Sequence, residues 1–368
     1  MEGGFRSIMH LSYRDYRSVP EELRATGKDE IDEIYLKENL IVSLPDWFFV
    51  EMTHLRFLCL AGNMIESIPG QIGRLECLET LDLSENALHR LPPTVGMLKR
   101  LNKLLLNGNC LTHLPAEIGH LRKLEVLEVR KNRLTNIPIQ LSGCVALEDL
   151  LVDDNLGLVS IPTPLFNLPA LTYVSAEGCN LFQLPFFINT STLRFVRVFS
   201  HNHCLTHCPL ALKRFAQHDY VAVEERLQRI RNPSCYRQVQ CRAVPYRLNL
   251  PGELSQLSDR GDASVRPNSL LEETLRTLAR SGLRLELLEQ LRLPECLTHP
   301  LLHGPVAYCA SVPCGKEIFS AAVLALVQRR DYALNFVLSV LFCSKLCADR
   351  WFQYNCDRYV ELPWEVVA

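Results

Sequence analysis

One apolar motif recurs through the first half of the chain and limits the folds that the chain can adopt. The segments LETLDLSENALHRLPPTVGML, from Leu78 to Leu98, and LNKLLLNGNCLTHLPAEIGHL, from Leu101 to Leu121, share the pattern L-x-x-L-x-L-x-x-N-x-L-x-x-L-P. Further copies start at Leu55 and Leu124, again 23 residues from their neighbours. A fixed period of this size is typical of a solenoid, in which each unit buries its apolar face against the next one.

The motif also predicts the local structure of each repeat. Its alternating L-x-L segment, such as Leu81 to Leu83 or Leu127 to Val129, is predicted to be a short strand with the leucines turned inward. The Asn that follows, such as Asn86, lies where the chain turns sharply, and its amide can hydrogen-bond to backbone groups of neighbouring repeats. The Leu91-Pro92 step then ends the extended segment, and the last apolar residues anchor a loose helical return on the convex side.

The register gives eight repeats, which start at Ile31, Leu55, Leu78, Leu101, Leu124, Leu147, Leu171 and about Leu193. The seventh has Cys179 at the Asn position. The eighth has either His201 or Asn202 at the turn and is the most degraded, as expected for a terminal unit. Before the first repeat, residues 11–23 fit a partial repeat that caps the open end.

This motif resembles the leucine-rich repeat, in the short cytosolic class that has a Leu-Pro step. The resemblance implies an α/β leucine-rich-repeat solenoid, or horseshoe, and the remaining sequence indicates a C-terminal helical and Cys-rich small domain. The predicted divisions are an N-terminal cap or partial repeat (1–30), the repeats (31–215), a C-terminal cap (216–248), a linker rich in turn residues (249–268), and a helix followed by the Cys-rich region (269–368).

Composition argues against several classes of partner. The net charge is −2, so the chain has no basic excess for binding nucleic acid. No apolar run reaches the length of a membrane span, and residues 1–17 are too polar for a signal peptide. The 15 cysteines do not form the flanking frameworks of secreted repeat proteins, which favours a reducing compartment. We therefore expect a protein of the cytoplasm, with the nucleus as a second location, that binds neither membranes nor nucleic acid.

Strand residues that point away from the core are predicted to line the concave face of the solenoid. They mix aromatic, aliphatic and charged side chains, as a protein-binding surface requires, because buried anchors supply affinity and charges supply selection. Any leucine-rich repeat has some such face, so the whole face is a stronger prediction than its individual members. The residues predicted to bind a protein target are Tyr35, Phe57, Asp82, Leu105, Glu128, Arg130, Leu151, Asp153, Tyr173, Phe195, Arg197 and Phe199.

The sequence contains no recognisable catalytic constellation. The C-G-K sequence at 314–316 lacks the upstream glycine spacing of a phosphate-binding loop, and the G-x-S-x-G and H-E-x-x-H motifs do not occur. A hydrolase built on Cys314 or Cys343 with His299 or His303 is an alternative that no triad spacing supports. We therefore expect that the protein is not an enzyme.

Two short docking patterns follow the linker. The first, on a predicted helix, fits the elongin-C-binding box and consists of Thr274, Leu275, Ala279 and Leu283. Its spacing of four residues keeps the apolar members on one helical stripe. The second fits a cullin box and consists of Leu293, Pro294, Leu297 and Leu301. Both patterns are degenerate, and an ordinary amphipathic helix explains the first as well. A competing register that starts at Ser269 fits less well, because it has Thr274 at the small position.

The order of repeats, box helix, Leu-Pro segment and cysteines resembles that of leucine-rich-repeat substrate receptors of elongin-BC cullin-RING ubiquitin ligases. The resemblance implies that the first box contacts elongin C, that the second contacts a cullin, and that the repeats capture a target protein. Such an adaptor acts by proximity. Gly282 departs from the pattern, because it interrupts the last turn of the box at a cost of about 1 kcal/mol. The alternative is a general cytosolic scaffold or signalling regulator with no link to a ligase.

Four cysteines near the C-terminus suggest a structural zinc site. Cys309 and Cys314 form one pair, Cys343 and Cys347 form the second, and the apolar segment between the pairs is predicted to be a β-hairpin that brings them together. Four thiolates would give a closed tetrahedral zinc site, which adds folding energy to a small domain. Two alternatives stay open. Cys356 could replace Cys347, or the thiols are free and simply fill a core.

Overall fold

Two units make up the described part of the chain. A computed structural model describes residues 7–24, 31–181, 184–185, 192–198, 200–202, 205, 208–212, 236–241, 247–251, 254, 256–258, 270–280, 307–311, 314, 316–318, 321–329 and 337–366. The first unit contains residues 1–158, 168–179 and 191–198, and the second contains residues 159–167, 180–190 and 199–368. The first therefore holds most of the repeats, and the second holds the Cys-rich region.

The first unit is built on one parallel sheet. Its strands are β1 (Ser7–His10), β2 (Ile31–Tyr35), β3 (Phe57–Cys59), β4 (Thr80–Asp82), β5 (Lys103–Leu105), β6 (Val126–Glu128), β7 (Asp149–Leu151), β8 (Tyr173–Ser175) and β9 (Phe195–Arg197). Each strand pairs with the next one along the chain, so the order in the sheet is the order in the sequence. This architecture confirms the predicted leucine-rich-repeat solenoid. The first strand precedes residue 11, because Ile8 and Met9 pair with Glu33 and Ile34.

A stack of equivalent leucines forms the core of this sheet. The central residue of each short strand points inward, and Leu58, Leu81, Leu104 and Leu127 are completely buried. The strand register places each of them directly beside its counterpart in the next repeat. Burial of one such side chain contributes about 1.5–3 kcal/mol. The stability of the sheet is therefore a sum of similar contacts between neighbouring repeats.

Short helical turns return the chain between strands. Helix α1 (Asp46–Glu51) follows β2, 3₁₀ turns span Gly70–Arg74, Pro93–Met97, Ala116–His120 and Ile139–Gly143, and another spans Glu21–Arg24. The four 3₁₀ turns of the repeats each begin after an extended proline, which is Pro69, Pro92, Pro115 or Pro138. Because proline fixes φ and has no N–H, the Leu-Pro step both ends the extended segment and starts the turn.

The predicted asparagines form a ladder of hydrogen bonds between repeats. Asn63 Oδ1 accepts from the N–H of Ile41 at 3.0 Å, and its Nδ2 donates to the carbonyls of Leu36 and Leu60 at 3.0 and 2.9 Å. The same bonds recur at Asn86, Asn109, Asn132 and Asn155. In the eighth repeat Asn202, and not His201, accepts from the N–H of Leu181 at 3.0 Å. The ladder satisfies backbone groups that would each cost about 1–3 kcal/mol if buried without a partner.

The residue before each ladder position adopts a left-handed backbone conformation. The φ angle is 67° at Gly62, 52° at Glu85, 65° at Gly108 and 51° at Lys131. Glycine adopts this conformation without the strain that a side chain would bring, and it occupies two of these four positions. A left-handed conformation costs a residue with a side chain about 1–2 kcal/mol. The contacts between repeats must therefore hold Glu85 and Lys131 in the left-handed backbone conformation.

Smaller sheets form the second unit. Its strands are β10 (Cys208–Pro209), β11 (Tyr236–Cys241), β12 (Arg247–Pro251), β13 (Gln256–Ser258), β14 (Ala307–Tyr308), β15 (Glu317–Ile318), β16 (Ala321–Arg329), β17 (Leu338–Phe342), β18 (Tyr359–Leu362) and β19 (Trp364–Val366). Its helices are α2 (Leu270–Arg280) and α3 (Lys345–Asn355), and 3₁₀ turns span Thr163–Asn167 and Leu210–Leu212. One sheet has the order β10-β17-β16-β13, with β18 also paired to β16; a second has the order β12-β11-β19, and β14 pairs with β15.

The antiparallel pair of β16 and β17 lies at the centre of this unit. Its register runs from Val323 opposite Phe342 to Val327 opposite Leu338, as expected for the hairpin predicted between the two cysteine pairs. Helix α3 contributes Trp351, whose ring centroid lies 5.8 Å from that of Phe342 and 5.4 Å from that of Tyr359. An aromatic cluster therefore packs α3 against β17 and β18.

Part of the segment predicted as a linker is regular structure. Strand β13 and the end of β12 lie within residues 249–268, and Leu250 and Leu254 are completely buried. The turn residues of this segment are visible in the sequence, but the parallel pairing of β13 with the distant β16 is not. Residues 216–235 of the predicted C-terminal cap lie outside the described residues. None of the described helices has both the length and the apolar content needed to cross a membrane.

Candidate functional site

The outward side chains of β1 to β9 form two parallel columns, which together we name the strand face. It corresponds to the concave face of the sequence prediction. The strand register aligns the first column as Ile8, Glu33, Phe57, Thr80, Lys103, Val126, Asp149, Tyr173 and Phe195. The second column is His10, Tyr35, Cys59, Asp82, Leu105, Glu128, Leu151, Ser175 and Arg197.

Three aromatic rings lie together at the N-terminal end of the strand face. The ring of Tyr35 stacks on His10 with centroids 4.9 Å apart, and it contacts Phe57 at 4.7 Å. The Tyr35 hydroxyl donates to the Glu33 carboxylate at 3.1 Å. Burial, and then this carboxylate, raise the pKa of Tyr35 above its ordinary value. The cluster is thus an apolar surface with a polar rim.

A second aromatic group lies at the C-terminal end. Tyr173 and Phe195 are arranged edge to face with centroids 6.1 Å apart, and Phe195 is 64% exposed. Arg197 forms an ion pair with Glu177 at 3.1 Å. Its pKa is raised first by a hydrogen bond to Tyr173 and then by Glu177. An exposed phenyl ring beside a fixed guanidinium is typical of a protein-binding surface.

Charged residues lie within and beside the middle of the strand face: Asp149 is on β7, and Arg130 and Asp153 follow the ends of β6 and β7. Asp153 accepts from Ser175 Oγ at 2.5 Å and from the N–H of Glu177 at 2.7 Å, and it pairs with Arg130 at 3.2 Å. Asp149 differs from Asp153, because burial, and then the carboxylates of Glu148 and Glu128, raise its pKa. Like charges therefore oppose the ionisation of Asp149 on this part of the face.

The structure places most of the predicted binding residues at partly or fully exposed positions of the strand face. Leu151 is an exception, because it is only 4% exposed. The Asp82 carboxylate accepts a hydrogen bond from the Cys59 thiol at 3.7 Å. Phe199 lies outside the described residues. Their role in binding stays a prediction. His10 was missed because the short S-I-M-H segment before the first full repeat does not carry the motif.

The box helix is present, but its predicted contact residues have different exposures. Helix α2 includes Thr274, Leu275 and Ala279, of which Thr274 is partly exposed, Ala279 is exposed, and Leu275 is completely buried. The neighbouring Arg276 is 2% exposed and donates from Nε to the carbonyl of Glu317 at 2.7 Å. That bond ties α2 to β15. Leu283 and the predicted cullin contacts Leu293, Pro294, Leu297 and Leu301 lie outside the described residues.

The four cysteines of the second predicted site come together. The Sγ atoms of Cys309, Cys314, Cys343 and Cys347 all lie within 4.8 Å of one another. Cys343 Sγ lies 3.5 Å from Cys314 Sγ and 3.7 Å from Cys347 Sγ. The hydrogen bond between the Cys343 thiol and Cys309, followed by burial, raises the pKa of Cys343. Cys356, the alternative fourth member, is exposed at the C-cap of α3 and is not in the cluster.

This cluster could hold a metal ion, because each cysteine offers one sulfur ligand and the four sulfurs converge. The candidate catalytic partners His299 and His303 lie outside the described residues. The hydrolase alternative around Cys314 or Cys343 therefore gains no geometric support within the described parts of the chain.

Comparisons with known proteins concern the repeats. A family model described as a leucine-rich repeat region matches residues 47–110. Among solved structures, the chain is similar to a leucine-rich-repeat protein of Leptospira interrogans, with 26% identity over 46% of this chain and 49% of that chain, and a TM-score of 0.42.

Two further structures are similar over about half of the chain. One is the leucine-rich-repeat ectodomain of the plant membrane receptor kinase GASSHO1/SCHENGEN3 from Arabidopsis thaliana, in complex with CASPARIAN STRIP INTEGRITY FACTOR 2. Its identity is 30% over 50% of this chain and 23% of that chain, and the TM-score is 0.41. The other is internalin C2 of Listeria monocytogenes, at 26% identity over 46% and 72% of the two chains, with a TM-score of 0.41. The chain thus spans 49% of the Leptospira protein and 23% of the plant ectodomain. Two findings identify the repeats of this chain as leucine-rich repeats: the strands align from one repeat to the next, and the family model matches residues 47–110.

Proposed function

We propose that the chain is a protein-interaction adaptor whose strand face binds a protein target. The observation that carries the proposal is the pair of aromatic groups at the two ends of the face, with charged residues between them. Tyr35 and Phe57 lie on rigid strands at one end, and Phe195 lies at the other. Aromatic anchors that are already held in place lose little conformational entropy on binding, so their burial contributes efficiently to affinity.

The middle of the face supports a partner with a basic group. The pKa of Asp149 is raised first by burial and then by repulsion from the carboxylates of Glu148 and Glu128. A lysine or arginine of the target would relieve that repulsion and would select for complementary partners. The activity we propose is binding without catalysis, in the cytoplasm with the nucleus as a second location, where thiols stay reduced.

A comparison of variants tests this proposal. Proximity labelling in cells is carried out with the wild type, a Tyr35→Ala/Phe57→Ala variant and a control Met97→Ala/Val145→Ala variant, whose residues are 53% and 50% exposed away from the strand face. We expect a target that the wild type and the control retain and that the first variant loses. With purified proteins, the loss of two anchors should weaken binding at least about tenfold.

Folding must be separated from binding in this test. All variants are first compared by circular dichroism and thermal unfolding, because Tyr35 also packs on His10. A Phe195→Ala variant provides an independent check at the other end, since its ring is mostly solvent-exposed and its loss should leave stability nearly unchanged. The proposal is wrong if the double variant and Phe195→Ala, both folded, retain every partner of the wild type.

A more specific role, as substrate receptor of an elongin-BC cullin-RING ubiquitin ligase, is the second candidate. It is supported by the order of sequence features and by the helical conformation of α2 across Thr274 to Ala279. Burial of Leu275 means that elongin C could reach this side chain only after α2 leaves its place in the unit. The expected partners are therefore elongin B and C and a cullin, with the binding energy reduced by the cost of releasing α2.

Co-expression with elongin B and C tests this second role. The probe is Ala279→Phe, which adds bulk at the exposed small position of the box, and the matched control is Thr277→Phe, at another exposed position of the same helix. A complex that the wild type and the control form, but that Ala279→Phe does not, would support the receptor role. If the wild type binds neither elongin, the adaptor acts without this ligase.

A further inference from the structure

We propose that Cys309, Cys314, Cys343 and Cys347 bind one zinc ion in a closed structural site. Four sulfur ligands at the corners of a tetrahedron are the arrangement that zinc takes in structural sites. The proposal is independent of the binding partner of the strand face, because it concerns only the folding of the second unit.

The distances between the sulfurs fit a single ion. A tetrahedron with Zn–S bonds of 2.3 Å has sulfurs about 3.8 Å apart. The Cys314–Cys343 and Cys343–Cys347 distances are 3.5 and 3.7 Å, and all four Sγ atoms lie within 4.8 Å of one another. A disulfide requires about 2.05 Å, so the cluster is not a set of oxidised pairs. Thiols that only filled a core would have no reason to converge on one point.

Two separate parts of the unit supply the ligands, and each holds its pair in a fixed geometry. In the hairpin of β14 and β15, the N–H of Cys309 donates to Lys316 O at 2.8 Å, and the N–H of Cys314 donates to Ser311 O at 2.8 Å. The first is a ladder bond across the hairpin, and the second closes a turn. This arrangement presents two sulfurs from one short loop.

The second pair comes from the junction of β17 and α3. Cys343 follows the last residue of β17, and Cys347 lies in the first turn of α3. Ser344 is the N-cap of the helix and accepts from the N–H of Cys347 at 3.4 Å. The positive end of the helix dipole favours negative charge at these two sulfurs.

Burial makes the site closed and therefore structural. Cys309, Cys343 and Cys347 are 6%, 5% and 8% exposed, and Cys314 is partly exposed. With four protein ligands, no coordination position is left for water or substrate, which distinguishes this site from a catalytic zinc centre. Binding exchanges protons for metal: Zn²⁺ displaces the four thiol protons, and the complex carries a charge of −2.

The ion would join elements that otherwise share few contacts. It links the β14–β15 hairpin to β17 and α3, and the hairpin is already tied to β17 by the N–H of Ala310, which donates to Leu341 O at 3.0 Å. Through the Arg276 bond to Glu317 O, the same hairpin holds α2. We therefore infer that the metal also maintains the packing that buries Leu275.

The test measures metal in the full chain, purified without chelators from cells grown with zinc. Elemental analysis and native mass spectrometry should show one zinc per chain in the wild type. The Cys356→Ser control, which changes an exposed cysteine outside the cluster, should keep that content. Cys314→Ser, at the least buried ligand, should lose most of it. After exchange with Co²⁺, the wild type should show the absorption of tetrahedral thiolate-bound cobalt.

Several results would overturn the proposal. The wild-type measurements do not depend on the folding of any variant, so a chain that purifies without metal and takes up no Zn²⁺ or Co²⁺ would refute it. An iron content with visible colour would refute the assignment to zinc, because four cysteines also bind iron. Equal zinc in the wild type and in a folded Cys314→Ser variant would show that the metal binds elsewhere.

Discussion

In the repeat unit each strand lies beside a near copy of itself, whereas β16 of the Cys-rich unit pairs with three different strands. Its partners are β17 and β18 in the antiparallel direction and β13 in the parallel direction. The repeat unit gains stability from many similar contacts between neighbouring repeats, so each single contact contributes only a small part of the total. The Cys-rich unit depends on a few contacts between residues far apart in sequence, whose closure costs more entropy. A metal cross-link would therefore help the second unit far more than the first.

The largest effect should come from removal of the proposed metal. Chelation, or Cys343→Ser, should abolish amide protection in β16, β17 and α3, because structural zinc supplies a large part of the folding energy of small sites. Protection in β3 to β7 should stay unchanged, since the repeats have their own core. Hydrogen exchange with mass spectrometry measures both regions in one sample. Equal loss in both units would contradict the difference in stability that we describe.

The next largest effect concerns the leucine stack of the repeats. Leu104→Ala should lower the free energy of unfolding by about 2–5 kcal/mol, because Leu104 is completely buried. The matched control is Leu105→Ala on the same strand, which faces outward and should change stability by less than about 0.5 kcal/mol. Urea unfolding measures both. Similar losses for the two variants would mean that the strand face, and not only the core, stabilises the sheet.

A smaller effect is expected at the asparagine ladder. Asn132→Ala should cost about 1–3 kcal/mol, because the N–H of Leu111 and the carbonyls of Leu106 and Val129 lose their side-chain partner. Asn136→Ala, four residues later at an exposed position, is the control and should be nearly neutral. Thermal unfolding compares them. If Asn132→Ala is also neutral, then water replaces the amide in the ladder.

The smallest effect is electrostatic and depends on pH. Burial and like charges raise the pKa of Asp149 in the folded state, so the folded protein holds this proton more tightly than the unfolded chain, and stability falls as pH rises through that range. Asp149→Asn should therefore stabilise slightly at neutral pH, by about 0.5 kcal/mol given solvent screening. The gain should vanish at acidic pH. Thermal unfolding across pH measures it, and a gain that persists in acid would exclude the charge as its cause.

Sequence and structure agree most closely where the motif repeats. The predicted strands at Leu81 to Leu83 and Leu127 to Val129 are found one residue earlier, as β4 and β6. The cysteine set predicted from spacing also converges. The α2 helix was predicted, but Arg276 was not recognised as a buried contact, since a charge on a helix is usually exposed.

The repeat fold follows from the amino-acid sequence alone, because one period repeats the same interactions and each repeat needs only its neighbour to bury its leucines. The sequence also predicts which residues point outward on the strand face. Three other features become visible only in the folded chain: Asn202 continues the ladder, β13 within the predicted linker pairs with β16, and Leu275 is buried. These outcomes depend on partners distant in sequence, whose pairing no local pattern encodes.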